Sequence, residues 1–169
     1  ERSLRNALGQ FVNTIALHVD IDADQTLRQF TQQVQEQLKQ SLKHQKVAFS
    51  RVVEAVSPKR DGSINPLAQV GMFWERLGGM DEFKELLLPI QNPATLVGQD
   101  LTLGSFPVRQ QEGQLDIMLE MGGEYQGELV GVLKYNSEIF SAESAENMVQ
   151  LLQIILSEMV THPERKLIE

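Results

Sequence analysis

The chain has 169 residues, a length that fits one domain or one large subdomain and allows roughly 70% of the unfolded surface to be buried. Its 15 basic and 23 acidic residues give a net charge of −8, which argues against nucleic acid as a partner because phosphate binding needs a basic face. With no cysteine there can be no disulfide, thiolate metal site or cysteine nucleophile, a usage that fits a cytoplasmic protein, and no run approaches the roughly 20 apolar residues of a membrane span.

The first residue is not Met, and Glu1 to Asn6 lead into no apolar signal core, so the chain reads as a piece of something longer. Phe11 to Val19 is apolar on both faces and rich in β-branched residues, which predicts a strand covered on both sides. Asp20 to Asp24 stops it, and Asp22 with Gln25 three residues on has the spacing of a capping pair. Leu27, Phe30, Val34, Leu38 and Leu42 then recur every three or four residues, the apolar stripe of an amphipathic helix. Lys39, Lys43, Lys46 and Arg51 read as solvated helix surface.

A shorter helix is predicted from Val47 to Val56, burying Val52, Val53 and Val56 and ended by Ser57-Pro58. Lys59 to Pro66 has the composition of a loop. Leu67 to Leu77 reads as a buried strand, with Trp74 in the core, broken by Gly78-Gly79. Met80 to Ile90 fits a short helix ended by Pro89, and Gln91 to Gly98 fits a connector. Strands follow at Asp100 to Phe106, Gln114 to Met121 and Gly127 to Tyr135, with Gly122-Gly123 as a hairpin connection. Ser141 is a good N-cap for a last helix whose stripe is Ala145, Met148, Val149, Leu152, Ile155, Leu156 and Met159, ended by His162-Pro163. Mixed strands with helices packed on one face predict an α/β two-layer sandwich.

The residues alone do not disclose a reaction. His18, His44 and His162 are far apart in sequence, no G-x-S-x-G is present, and no histidine pair has metal-ligand spacing. Neither Gly-Gly pair is placed as a phosphate loop. Asn13 lies between apolar residues, where a buried amide needs partners, so both a channel-lining role and a polar strand end stay open for it. Arg60 and Asp61 are adjacent, so on an extended backbone their side chains diverge and each suits a structural anchor. Tyr135 to Phe140 fits a strand-to-helix corner, and His44 fits a helix end.

Four segments taken together say more. Gly9, Phe11, Val12, Asn13 and Thr14 match a G-x-F-V-N-T strand. His44, Gln45, Val47, Phe49 and Val53 match H-Q-x-V-P-F-E-x-L-V, with Ala48 for the Pro, Ser50 for the Glu and Val52 for the Leu. Arg60, Asp61, Ser63, Pro66, Leu67, Gln69 and Val70 match R-D-x-S-x-x-P-L-F-Q-V, with Ala68 for the Phe. Tyr135 to Ser141 follows Y-N-T-D-L-F-D, with Ser141 for the last Asp. In this order and spacing the chain resembles the second half of a condensation domain of nonribosomal peptide synthetases. That family commonly has an Arg where this chain has His18, and its catalytic HHxxxDG motif is not in this chain.

The resemblance implies a chloramphenicol-acetyltransferase-like half-domain over residues 1–161, with 162–169 beginning a linker to a following adenylation domain. It implies a partner lobe, the N-terminal subdomain, which supplies the catalytic histidine, so the isolated chain is expected to be inactive. Peptidyl or acyl carrier proteins deliver phosphopantetheine-tethered substrates to a tunnel between the lobes, where an acceptor amine attacks a donor thioester. Asn13 and Thr14 would line that tunnel, while Arg60, Asp61, Ser63 and Tyr135 would be structural anchors; no catalytic residue, metal or directly bound cofactor is expected. Two alternatives stay open: a non-catalytic module that recruits a carrier protein or tailoring enzyme, and a standalone acyltransferase lobe. A lobe without its partner should also expose apolar surface and self-associate.

Overall fold

The computed structural model describes residues 9, 12–56, 65, 67–74, 95–97, 100–104, 106, 115–125 and 127–168. They fall into two compact units, Glu1–Arg60 with Ile154–Glu169, and Asp61–Gln153.

In the first unit, α1 (Leu27–Lys43) starts from Thr26, whose backbone is extended, with φ −79° and ψ 158°. Thr26 and Gln29 form the reciprocal capping box in place of the expected Asp22 and Gln25. Asp22 instead closes the preceding turn. Its Oδ1 accepts from the Asp24 N–H at 3.0 Å and its carbonyl from the Gln25 N–H at 3.1 Å, so the helix has to wait for the next hydroxyl. Along the stripe Leu27 is buried and Phe30 and Val34 are half-buried, while Leu38 and Leu42 stay exposed. His44 ends the helix, donating its N–H to the carbonyls of Ser41 and Leu42. A turn closed by Val47 N–H on the His44 carbonyl (2.9 Å) delays α2 (Phe49–Val56) by two residues. Val52 and Val53 are half-buried, whereas Val56 is exposed, against expectation. The Ser57-Pro58 stop lies outside the described residues, as does the 59–66 loop apart from Asn65.

The expected first strand does not form a ladder: residues 12–20 have no β-sheet partner among the described residues. Its apolar pattern alone cannot make a strand without an edge to pair with. Val12 is 70% exposed, and only Ile15, Val19 and no others in 12–20 are half-buried, so it is not covered on both sides. Side chains hold it instead, Asn13 at one end and Gln33 at the other, where Gln33 Nε2 donates to the Asp20 carbonyl at 3.1 Å.

The second unit holds a mixed three-stranded sheet, β1 (Val70–Trp74), β4 (Ile117–Tyr125) and β5 (Glu128–Tyr135), in the order β1-β4-β5. β1 runs parallel to β4, with Val70 opposite Ile117, and β5 antiparallel to it, with Ile117 opposite Tyr135. β1 begins later than the sequence predicts because Leu67 sits at φ 73°, a left-handed conformation that no strand accommodates. It is also not buried. Among the described strands it pairs only with β4, and Met72 and Trp74 are 61% and 47% exposed, so Trp74 is not a core residue. Its continuation beyond Trp74, and the Met80 to Ile90 helix, lie outside the described residues.

The expected connector at 91–98 contains a strand, β2 (Thr95–Val97), which pairs antiparallel with β3 (Thr102–Gly104). A run of three β-prone residues is too short for a pattern to reveal; the pairing makes it a strand. Gly122-Gly123 is not the hairpin turn. β4 continues to Tyr125, and the register shifts between Met121 and Gly123 as a β-bulge that uses φ 102° at Gly123. The chain reverses at Gly127, φ 85°, instead.

The last helix, α3 (Ala142–Thr161), is capped as expected: Ser141 Oγ accepts from the Ser144 N–H at 3.1 Å. Its first turns cover the sheet face that carries Leu133 and Tyr135, with Ala145 buried and Val149 half-buried. The same face takes Ile117, Leu119 and Met121 by their pairing with β5, as the alternation predicts. The opposite face bears Glu120 and Lys134, joined by an ion pair of 2.7 Å. The architecture is the α/β mixed-sheet layering expected from sequence. Further along α3, Ile155 and Leu156 are each half-exposed, although the stripe places them inward. Among the described residues no helix is long and apolar enough to cross a membrane.

Candidate functional site

Two of the four sequence motifs meet at one side chain. Asn13 Nδ2 donates to the carbonyls of Gln45 (2.8 Å) and Val47 (2.6 Å), and its Oδ1 accepts from the Phe49 N–H at 3.2 Å. Both amide hydrogens and the carbonyl are thus engaged with backbone more than thirty residues away. The last of these bonds matters for α2. Phe49 is the first helical residue, so its N–H is one of the orphan donors of a helix start. Ala48, in the capping position, accepts from the Arg51 N–H with its carbonyl but has no side-chain oxygen. Asn13 supplies the cap from the other segment.

Asn13 is itself exposed, and its amide bonds to backbone alone. The polar atoms are committed to holding the 44–49 turn against the 12–20 segment. Thr14, next along the chain, is exposed. Tyr135 is half-buried in the groove between β5 and α3, beside Leu133, Ala142 and Val149. The corner after it is closed by Asn136, whose N–H donates to the Asp116 carbonyl at 2.8 Å and whose Oδ1 accepts from Glu138 N–H at 3.1 Å. Arg60, Asp61 and Ser63 lie outside the described residues.

No catalytic constellation assembles among the described residues. His18 is exposed beside Asp20, His44 ends α1, and His162 follows α3. No group of three metal-ligating side chains comes together among them. The ionisable groups that do cluster are at the chain's C-terminal segment. Glu158 Oε2 lies 2.8 Å from Arg165 Nη1 and 3.2 Å from His162 Nδ1. The hydrogen bond from Arg165 holds the Glu158 carboxyl below the usual carboxylate range, helped by His162.

Residues 162–168, read from sequence as the start of a linker, run back onto the first turn of α1. The carbonyls of Arg165 and Pro163 accept from the N–H groups of Leu27 (2.9 Å) and Arg28 (2.8 Å), and the Leu167 N–H donates to the Gln25 carbonyl at 3.0 Å. Arg28 pairs with Glu164, and Lys166 with Asp24 at 2.9 Å. No sequence pattern signals this strap, because its bonds are mostly to backbone. The sequence shows only the complementary charges, Glu164 opposite to Arg28 and Lys166 opposite to Asp24.

Comparison with known proteins agrees with this arrangement of motifs. The family model for the condensation domain matches residues 1–169. A chondramide synthase from Chondromyces crocatus is 31% identical over 95% of the chain, and a malpinin synthetase from Mortierella alpina 28% over 96%. The crystal structure of a holo four-domain nonribosomal peptide synthetase bound to AMP and glycine superposes with a TM-score of 0.93, at 90% identity over 99% of this chain. The X-domain from teicoplanin biosynthesis shares the fold, with a TM-score of 0.65 at 19% identity over 88% of this chain and 31% of its own. The chain spans only 4% and 2% of the two synthetases and 13% of the four-domain structure. With its motifs in family order and the family model matched from end to end, the chain belongs to the condensation domain family of nonribosomal peptide synthetases.

Proposed function

We propose that this chain is the C-terminal lobe of a condensation domain and forms one wall of the tunnel in which an amide bond is made. The observation that carries the reading is the 90% identity, over 99% of the chain, to part of a four-domain synthetase. The sequence holds no paired histidine, which supports a general base supplied by another lobe. On this reading peptidyl or acyl carrier proteins bring a donor thioester and an acceptor amine on phosphopantetheine arms. The amine nitrogen attacks the thioester carbonyl, the C–S bond breaks, and the amine proton passes to a base outside this chain.

The contribution of a wall is positional: holding two tethered reactants in line removes much of the entropic barrier to their meeting. The 12–20 segment, including Thr14, is the part of this chain we assign to that wall. Asn13 serves it from behind by fixing the segment to the 44–49 turn, and Tyr135 anchors the sheet-to-helix corner. Arg60, Asp61 and Ser63 keep the structural role that the motif resemblance implies. The adenylation domain and the N-terminal subdomain are the neighbours expected in the intact synthetase.

The test is reconstitution. The chain alone, mixed with loaded donor and acceptor carrier proteins, should give no amide product; joined to the lobe that bears HHxxxDG, it should give product that is lost when the second histidine is replaced. Product from the chain alone would remove the wall reading. A folded two-lobe protein that binds carriers and makes no product would favour the recruiting module instead.

A further inference from the structure

The first turn of α1 is capped by two different parts of the chain. Thr26 and Gln29 satisfy each other's N–H groups, at 2.9 and 3.2 Å. The two donors between them, Leu27 and Arg28, donate to carbonyls of the 162–168 segment. Two ion pairs, Arg28 with Glu164 and Lys166 with Asp24, sit over the same turn. Yet within the segment only Pro163 and Leu167 are half-buried; the rest is exposed, Ile168 to 74%. A strap held by exposed hydrogen bonds and charges, with little apolar burial, belongs to the low-stability end of a structure and can open without the fold opening.

We propose that residues 162–168 are an ionic clasp, latched on the first turn of α1, whose opening lengthens the connection to whatever domain follows in a synthetase. The inference rests on the multidomain reading above. With the clasp shut, a following domain is tethered from the end of the strap and moves with this lobe. With it open, the tether starts at the end of α3, and seven further residues add about 24 Å of reach at 3.3–3.6 Å per residue. His162-Pro163 is the natural hinge, since Pro163 cannot continue the helix. Because Asp24 and Glu164 are 84% and 70% exposed, the latch is open to screening by salt.

The experiment is amide exchange on the chain, read at Leu27, Arg28 and Leu167, with Val34 in α1 and Val149 in α3 as controls for folding. Glu164→Arg should speed exchange at the three clasp amides by about threefold to fivefold, in line with the modest worth of an exposed pair, and leave the controls unchanged. Adding Arg28→Glu to that variant should restore protection, and raising the salt should mimic the single variant in the unmodified chain. If the clasp amides instead exchange in step with Val34, or the swapped pair restores nothing, the clasp is overturned. In the intact synthetase, the distance distribution between labels on this lobe and on the next domain should broaden in Glu164→Arg. Faster clasp exchange with an unchanged distribution would overturn the tether. Neither result depends on amide product, so the condensation reading stands or falls separately.

Discussion

Two helices in this chain begin without a complete cap of their own, and each borrows the rest from a segment distant in sequence. α2 takes a neutral side chain: Asn13 accepts from Phe49 N–H while its two amide hydrogens hold the preceding turn. α1 takes backbone: carbonyls of Arg165 and Pro163 accept from Leu27 and Arg28, with charges added around them. The first is one residue making three bonds, so a single substitution undoes it. The second is spread over a strap, so no single side chain carries it. The first site should therefore be the more sensitive to point mutation and the second to solution conditions.

The largest effect expected is from Asn13→Asp. It keeps an oxygen for Phe49 N–H but sets a carboxylate against the Gln45 and Val47 carbonyls, converting two donors to repulsion. We expect a loss of about 2–3 kcal/mol in a denaturant melt, since interactions with a charged group are the costlier kind. Asn13→Ala, which only deletes, should cost about 1–2 kcal/mol, the range of a lost N-cap. If the two variants were equally mild, the amide would be solvated in place and the bracket would not be what holds the turn.

A smaller effect, of opposite sign, is expected at Ala48. The family pattern has Pro there, and the Ala48 N–H makes no backbone hydrogen bond among the described residues. Ala48→Pro should stabilise the chain by about 0.4–1 kcal/mol by restricting the unfolded chain. It should also reduce the cost of Asn13→Ala, because a pre-set turn leans less on the bracket. Additive melts for the double variant would show that Asn13 and the turn are independent.

How much of this was legible differs by element for physical reasons. α1 and α3 announce themselves because long amphipathic stripes are periodic, and the Ser141 cap is legible as a local signal, whereas the α1 cap was misplaced onto Asp22 and Gln25, which have the right spacing one turn too early. The alternation of Ile117, Leu119 and Met121 fixed the face of β4 correctly. Its end was misplaced because Gly122-Gly123 has the composition of a turn, while the bulge it makes is decided by pairing with β5. Residues 12–20 and β1 were misjudged for one reason: an apolar, β-branched run states a preference for burial and pairing, and only the rest of the molecule supplies the partner. At the candidate site, the motif pattern picked out Asn13, but its role depended on backbone groups of Gln45, Val47 and Phe49 that no residue identity encodes. The strap was invisible for the same reason.

The smallest effect expected separates the two caps by pH. Glu158 anchors the turn into the strap through Arg165, and that hydrogen bond, with His162 nearby, lowers its carboxyl below the ordinary value of 4.5. A lowered carboxylate favours the folded arrangement at pH above the unfolded value, and that contribution fades as pH falls through the folded value. Protection at Leu27 and Arg28, corrected for intrinsic exchange, should thus be flat above about pH 5 and decline below 4.5. The informative quantity is the difference between the unmodified chain and Glu158→Gln, which should vanish at the acid end. The Asn13 bracket contains no ionisable group, and Phe49 N–H should show no such difference between the two proteins. A matching difference at Phe49 would mean that the two capped helices open together, and the contrast between a point-held and a strap-held cap would be lost.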